Sequence, residues 1–291
     1  MFANFEQLRI TTREVEINFR RGGEGPPVLL LHGYPQTHVM WRKIAPGLAQ
    51  RFTVVAPDLR GYGASSIPSS TADHRPYSKR VMGQDMLETM HSLGFDRFAV
   101  VGHDRGGRVA YRMALDHPDA VEKLAVLDIV PTHTMWQTMD KDLAFTTYHW
   151  LFLAQPDGLP ERMIEANATY YLRETLRRWT RKRDAIEEQA IQAYLAALTQ
   201  PARIHAFCED YRAGATVDLG DDAADYGRRM IACPVLVLWG DGGIAAEVKG
   251  ESPLETWRKW ADDVRGCGLP CGHFLPEEAP DDTLAELLAF L

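Results

Sequence analysis

Cysteine is scarce in this chain: Cys208, Cys233, Cys267 and Cys271 are the only four, and no Cys-x-x-Cys pair occurs. That excludes a disulfide framework or a zinc ribbon, both of which need thiols at short, regular spacing. Cys267 and Cys271 flank a loop beside His273, but two thiols and one imidazole make an incomplete ligand set, so no metal is expected. The four read as unpaired structural cysteines of a reducing cytoplasm. An excess of basic residues is also missing. Lys and Arg number 32 against 40 Asp and Glu, a formal net charge of -8, which argues against nucleic acid or an anionic membrane as a general partner. A small anionic substrate stays compatible, because local arginines override the global sign. No apolar run approaches the length of a membrane span. The opening Met1-Phe-Ala-Asn-Phe-Glu-Gln7 has no basic stretch followed by an apolar one, so no secretory signal is expected. Internal repeats and low-complexity tracts are absent.

What is present is an alternation of strand and helix signals. Apolar residues at 45% and charged residues at 25% suit a globular chain, and 291 residues suit one large α/β domain with an inserted subdomain. Alternating apolar positions over 7–20 predict a β-hairpin, followed by a turn from Arg21 to Pro27. Val28-Leu-Leu-Leu-His32 has the continuous apolar character of a strand buried on both faces of a parallel sheet. A helix is expected over Met40 to Leu48 and a strand over Phe52 to Ala56. Tyr77 to Leu93 reads as a helix with Val81, Met82, Met86, Leu87 and Met90 inward. Another strand is expected over Val121 to Val130, closing on Asp128. From Pro131 to Arg228 the texture is helical and aromatic-rich, without strand-like runs. The α/β pattern resumes with a strand over Cys233 to Trp239, a helix around Pro253 to Ala261, a short strand near Val264 and a helix from about Asp281. Such alternation predicts a mostly parallel sheet with helices on both faces. Residues 1–130 and 229–291 form its core, and 131–228 form a helical cap over the carboxyl edge, where ligands of open parallel sheets bind.

Between the apolar run Phe98–Val101 and the helically spaced Val109, Ala110, Met113 and Ala114 lies Gly102-His103-Asp104-Arg105-Gly106. Gly-x-nucleophile-x-Gly between strand and helix is the nucleophile elbow, a sharp turn that lifts the central side chain at the strand's carboxyl end. Here that residue is Asp104 rather than serine. A serine attacking a saturated carbon forms an ether that resists water, whereas a carboxylate forms an ester that water cleaves. Asp104 therefore points to displacement at an alkyl carbon. The bland alternative is an exposed aspartate at a helix start, a favourable place for a carboxylate in any protein.

The neighbouring motifs weigh against that alternative. His273 stands in Gly268-Leu-Pro-Cys-Gly-His-Phe-Leu-Pro-Glu-Glu278, a loop after the last short strand. The chain order nucleophile, acid, histidine is that of α/β-hydrolases, which makes His273 the candidate general base. His74, His91, His117, His133 and His205 lack such a context and read as structural. The acid that orients His273 has two candidate places. After Trp239 the chain reads Gly240-Asp241-Gly242-Gly243, with glycine where a carboxylate is expected; the other place is Asp128. Asp128 is preferred, because a carboxylate closing an apolar run is costly to bury unless paired, and the ring N–H of His273 supplies a partner. His32-Gly33-Tyr34-Pro35 turns off a strand on the same edge. The backbone N–H groups of Tyr34 and Arg105 are expected to form an oxyanion hole. No metal or organic cofactor is needed by this set.

Taken together, His32-Gly-Tyr-Pro-Gln-Thr-His38, Gly102-His-Asp-Arg-Gly-Gly-Arg108, Val126-Leu-Asp-Ile-Val-Pro-Thr132, Tyr148-His-Trp150, Cys208-Glu-Asp-Tyr-Arg-Ala-Gly214 and Gly272-His-Phe-Leu-Pro-Glu-Glu278 closely resemble the fluoroacetate (haloacetate) dehalogenases. The resemblance spans nearly the whole chain. Its elbow and His-Gly-x-Pro motif are shared with epoxide hydrolases and haloalkane dehalogenases, so the arginine pair and the motifs of the helical region discriminate. The resemblance implies an α/β-hydrolase fold and hydrolysis of haloacetate to glycolate and halide through an aspartyl ester. It also implies a homodimer. Arg105 and Arg108, three apart at one helix start, would bind the substrate carboxylate through charge-assisted bonds. His149, Trp150 and Tyr211 would be the halide donors. An epoxide hydrolase is the nearest alternative, with cap tyrosines (Tyr148, Tyr170, Tyr171, Tyr194 or Tyr211) protonating the opening oxygen. A non-catalytic receptor on the same scaffold would have less need of Asp104, Asp128 and His273 together. Tyr34 and the Leu153–Ala154 region are expected to shape the pocket.

Overall fold

The computed structural model describes residues 2–291. Its eight strands are β1 (Glu6–Thr11), β2 (Glu16–Gly22), β3 (Pro27–Leu31), β4 (Thr53–Pro57), β5 (Phe98–His103), β6 (Val121–Leu127), β7 (Val235–Gly240) and β8 (Val264–Leu269). They form one sheet in the order β1-β2-β4-β3-β5-β6-β7-β8. β1 and β2 pair antiparallel, as does β2 with β4, and every later pairing is parallel. β4 and β5 are buried at every position and β3 at all but its first, which is why their sequences read as unbroken apolar runs, whereas β8 is mostly half-buried. β1 alternates between exposed and half-buried residues, as a strand with one wet face does. The chain leaves β3 for β4 on one side and returns to β5 on the other. The carboxyl ends of β3 and β5 therefore meet where the winding reverses, and there such sheets place their ligands.

Helices α1 (Ala45–Leu48), α2 (Lys79–Ser92) and α3 (Arg105–Asp116) precede β6. Between β6 and β7 come eight more: α4 (Thr132–Gln137), α5 (Lys141–Thr146), α6 (Tyr148–Leu153), α7 (Leu159–Ala166), α8 (Ala168–Trp179), α9 (Glu188–Leu198), α10 (Pro201–Ala215) and α11 (Val217–Asp225). The chain closes with α12 (Pro253–Trp257), α13 (Leu275–Glu278) and α14 (Pro280–Phe290). None of these helices is long and apolar enough to cross a membrane among the described residues.

The local boundaries depart from expectation in instructive ways. Residues 40–48 are not one helix: a 3-10 turn over His38–Lys43 gives way to α1, whose second residue is Pro46. Proline lacks the N–H that a continuous helix would bond and fits only a helix's first turn. The expected turn at 21–27 starts later, because β2 continues through Gly22. β6 stops at Leu127, since Asp128 takes a φ of +53° that ends the strand. The helix from Pro253 ends at Trp257, the strand at Val264 runs six residues, and the last helix starts at Pro280 behind the short α13. Val81 is half-buried, unlike its inward companions Met82, Met86, Leu87 and Met90.

Buried polar contacts fasten the α4–α11 layer to the sheet layer. Arg112 on α3 meets Asp222 at 2.7 Å and Asp225 at 2.5 Å, while Tyr111 donates to Asp222 at 2.7 Å. Lys79 on α2 contacts Asp210 and Asp218. Such pairs are directional, so they specify where the layer sits. Deleting one partner would leave an uncompensated buried charge, at about 3–5 kcal/mol.

Candidate active site

β5 delivers Asp104 into the turn before α3 at φ +45° and ψ -117°. A non-glycine residue at positive φ stores local strain of order 1–3 kcal/mol, tolerated where the surroundings dictate it. Two glycines make room for this turn. A Cβ on Gly106 would collide with the carbonyl oxygens of Leu31 and His32, and one on Gly33 would come within 2.5 Å of the Asp104 Cβ. The Tyr34 N–H donates to Asp104 Oδ2 at 2.9 Å, placing Tyr34 where an oxyanion-hole donor is expected. Arg105 opens α3 directly after Asp104, so its own N–H lies at the helix N-terminus. Asp104 is buried, and burial opposes its charge. The electrostatic pull of His273, His103, Arg105 and Arg108 outweighs that and holds its carboxyl below the usual aspartate range.

His273 Nδ1 lies 2.6 Å from Asp128 Oδ2. The Asp128 carboxylate also accepts the N–H groups of Gly240 (3.1 Å) and Ile244 (2.8 Å), so it is buried and fully partnered. Burial pushes the His273 pKa down, but the hydrogen bond and charge of Asp128 raise it overall. His273 Nε2 is buried with no protein partner, so it is free to accept a proton from a bound water or ligand. Of the two expected acids, Asp128 meets the histidine and Asp241 does not; Asp241 is exposed and turns toward Gly268. Gly243 explains itself here, because a Cβ at that position would occupy the space of the Asp128 carboxylate. The His103 ring lies 4.5 Å from the His273 ring, tilted by 48°, and donates through Nε2 to the His273 carbonyl at 2.7 Å. Burial pushes the His103 pKa down to about 3, so it stays neutral in that role.

Arg105 and Arg108 do share a face, and both are buried. Arg105 is held by Asp210, and Arg108 Nη1 donates to the Val130 carbonyl (3.0 Å) and Thr132 Oγ1 (3.1 Å). Arg105 Nη1 and Arg108 Nε have no hydrogen-bond partner. Above them, the Arg105 guanidinium lies 4.2 Å from the Tyr211 ring centre, and that of Arg108 lies 4.4 Å from the Trp150 ring centre. His149, Trp150 and Tyr211 converge, with Tyr211 at ring distances of 5.5 Å from His149 and 6.2 Å from Trp150. The Tyr211 hydroxyl and His149 Nδ1 are buried without partners. Burial pushes the His149 pKa down to about 3, making it a neutral donor rather than a cation.

Other expected or overlooked residues fall into place. The Tyr34 ring packs 5.3 Å from Tyr211, and its hydroxyl bonds the Tyr171 hydroxyl at 3.1 Å. Leu153 is fully buried, but Ala154 lines a different groove with His74, Glu161, His205, Glu209 and Arg212, which corrects its expected place in the pocket. His74 and His205 are engaged in that groove by Glu209 (2.9 Å) and Glu161 (3.0 Å). The four cysteines are free thiols. Among the described residues, no three His, Cys, Asp or Glu side chains cluster as metal ligands would. Two contributors were missed from sequence. Asp210, which orients Arg105, stood unremarked beside Tyr211; a buried arginine needs a counter-charge, and that requirement was the available signal. Trp179, whose ring lies 4.3 Å from His149 and 5.5 Å from His273, left no signal beyond general aromatic content.

A sharp strand-to-helix turn carrying Asp104 after β5, Asp128 after β6 and His273 after β8 form the layout of an α/β-hydrolase, and comparison with known proteins supports that fold. Residues 26–248 match the family model of the alpha/beta hydrolase fold. The chain belongs to the α/β-hydrolase family. It is 44% identical to a fluoroacetate dehalogenase from Burkholderia sp, over 100% of this chain and 95% of that protein. It is also 32% identical to a soluble epoxide hydrolase from Corynebacterium sp. (strain C12), over 97% of each. Among solved structures, a candidate alpha/beta hydrolase from Nostoc sp PCC 7120 superposes with a TM-score of 0.97 at 57% identity, covering 100% of this chain and 99% of that one.

Proposed function

We propose that this hydrolase acts on carbon–halide bonds and converts haloacetates, with fluoroacetate and chloroacetate as substrates, to glycolate and halide, residues 131–228 serving as the cap. One observation carries the reading. Arg105 and Arg108 are buried beside the elbow, and each keeps one guanidinium nitrogen, Nη1 and Nε respectively, without a partner. A substrate carboxylate completes both; a haloalkane or simple epoxide offers nothing to either. The homodimer implied by the resemblance and the cytoplasmic setting read from the unpaired cysteines belong to the same proposal.

The reaction then runs in two halves. With the substrate carboxylate held by the arginines, an Asp104 oxygen attacks the halogen-bearing carbon. A carbon–oxygen bond forms, and the halide leaves with the bonding pair. The N–H groups of His149 and Trp150 and the O–H of Tyr211 stabilise it in a dry site. In the second half His273 Nε2 takes a proton from water, which adds to the ester carbonyl of Asp104. Asp128 stabilises the resulting imidazolium, and the Tyr34 and Arg105 N–H groups receive the oxyanion. Collapse expels the glycolate oxygen, which is protonated from His273. One water oxygen stays in Asp104.

A second reading, epoxide hydrolysis, draws on the unpartnered Tyr211 hydroxyl as a proton donor to an opening ring. Halide and glycolate release from fluoroacetate and chloroacetate, with Asp104→Asn as control, separates the two. Release abolished by the substitution supports the proposal, and a single turnover in heavy-oxygen water should label Asp104. No halide from either acid, together with hydrolysis of styrene oxide, favours the second reading and overturns the role given to the arginines.

A further inference from the structure

Glu278, the last residue of α13, is 4% exposed and touches none of the reacting groups. Its carboxylate nevertheless gathers four main-chain N–H groups from two distant parts of the chain. Gly272 (3.0 Å) and Phe274 (3.0 Å), the two residues flanking His273, donate to it from one side. Arg181 (2.7 Å) and Lys182 (3.0 Å), just beyond the end of α8, donate from the other. A fifth bond closes the clamp, as the His273 N–H donates to the Trp179 carbonyl at 2.9 Å. Gly272 lets the two segments approach, since a Cβ there would collide with the Trp179 carbonyl oxygen and come 2.9 Å from the Arg181 nitrogen.

We propose that Glu278 is a positioning residue for ester hydrolysis, tying the His273 loop to the segment after Trp179 so that the histidine is aimed at Asp104 only while that segment is seated. This rests on the function proposed above. A carboxylate suits the task because its two oxygens offer about four lone-pair sites, and an amide could not accept as many bonds without presenting N–H to N–H. The first half-reaction uses Asp104, the arginines and the halide donors, none of which Glu278 touches. The second depends on where His273 Nε2 stands. The charge of Glu278 also adds to those of Asp128 and Asp104 in favouring the His273 imidazolium, while the neighbouring His103 and His149 are held neutral by burial.

The test compares the full-length wild-type chain with Glu278→Gln and Glu278→Asp. In rapid-quench experiments with fluoroacetate, Glu278→Gln should release a first equivalent of fluoride within about threefold of the wild-type rate. Steady-state glycolate formation should fall roughly 10- to 100-fold, as a displaced base predicts. The acid limb of the steady-state rate should move to lower pH in Glu278→Gln, because a negative charge is lost, and should stay in place in Glu278→Asp. Burst and steady state falling together, or both unchanged, would overturn the proposal. Amide hydrogen exchange adds a readout independent of substrate. Residues 181–182 and 272–274 should lose protection together in Glu278→Gln, and loss confined to one segment would refute the coupling. If the wild-type chain releases no halide, the dehalogenase reading fails, while the exchange experiment still decides whether Glu278 joins the two segments.

Discussion

Arg105 meets Asp210 edge-on: Nε lies 3.1 Å from Oδ2, Nη2 lies 2.7 Å from Oδ1, and Nη2 also donates to the Asp210 carbonyl at 2.7 Å. Lys79 and the Tyr62 hydroxyl (2.6 Å) complete the carboxylate. One side of the guanidinium fork is therefore held, and Nη1 remains for a ligand. Burial opposes the charge on Asp210, but Arg105 and Lys79 hold its carboxyl well below the usual range.

Asp210→Asn should destabilise the fold by about 3–5 kcal/mol, because it leaves two buried cations under-compensated. The sign of the pH dependence follows from the lowered carboxyl. Its stabilisation is present above the unfolded aspartate pKa, near 3.9, and is lost as pH falls through the folded value. Thermal unfolding from pH 7 into acid should show a gap between wild type and variant that narrows only in strong acid. A constant gap would reject the charge-based account.

Arg108→Lys keeps a positive charge but loses the planar fork that reaches the Val130 carbonyl, Thr132 and a ligand at once. Loss of one charge-assisted bond at about 1.5–3 kcal/mol predicts a roughly 10- to 100-fold lower kcat/KM for haloacetates. Steady-state kinetics with fluoroacetate checks this. An unchanged kcat/KM would remove Arg108 from carboxylate binding.

Tyr211→Phe deletes a buried hydroxyl with no protein partner, so folding should be little affected. Fluoride needs more stabilisation than chloride on leaving, so the first-turnover rate should drop more for fluoroacetate, by about tenfold relative to chloroacetate. Equal losses for the two acids would argue that the hydroxyl acts elsewhere.

The two halves of the reaction should respond to pH differently. Asp104 is held ionised below the usual aspartate range, so the halide burst should persist well into acid. His273 works as a base only when neutral, and its raised pKa places the loss of hydrolysis above the ordinary histidine value of about 6.5. Between those limits the enzyme should release one equivalent of halide and stall as the ester, which intact-mass spectrometry would detect as an added 58 Da, roughly the mass of a carboxymethyl group. Burst and turnover that fall together in acid would contradict this assignment.

Much of the design is written in short stretches of sequence. The apolar runs of β3, β4 and β5 announce a doubly covered sheet, and Gly102 to Gly106 announces the elbow, because each is a local backbone requirement. The split of residues 40–48 is also written locally, in Pro46, which fits only the first turn of a new helix. Ala154 shows the opposite failure. Its sequence neighbour Leu153 is in the core, yet one residue further round the helix end the side chain lines another groove.

By itself the sequence determined the order of the elements, the aspartate in the elbow and the placing of two arginines on one face of α3. Those features depend on spacing within a few residues, where covalent geometry allows few answers. The apolar run closing on Asp128 already favoured it over Asp241 as the partner of His273, but the tertiary structure alone decided that Asp210 holds Arg105. It also decided that Glu278 joins the His273 loop to the end of α8. Asp210 and Arg105 lie 105 residues apart and Glu278 and Arg181 lie 97 apart, and nothing local encodes their meeting. What selects them is the cost of burying an unpaired charge or N–H, which is set only once the layers have packed.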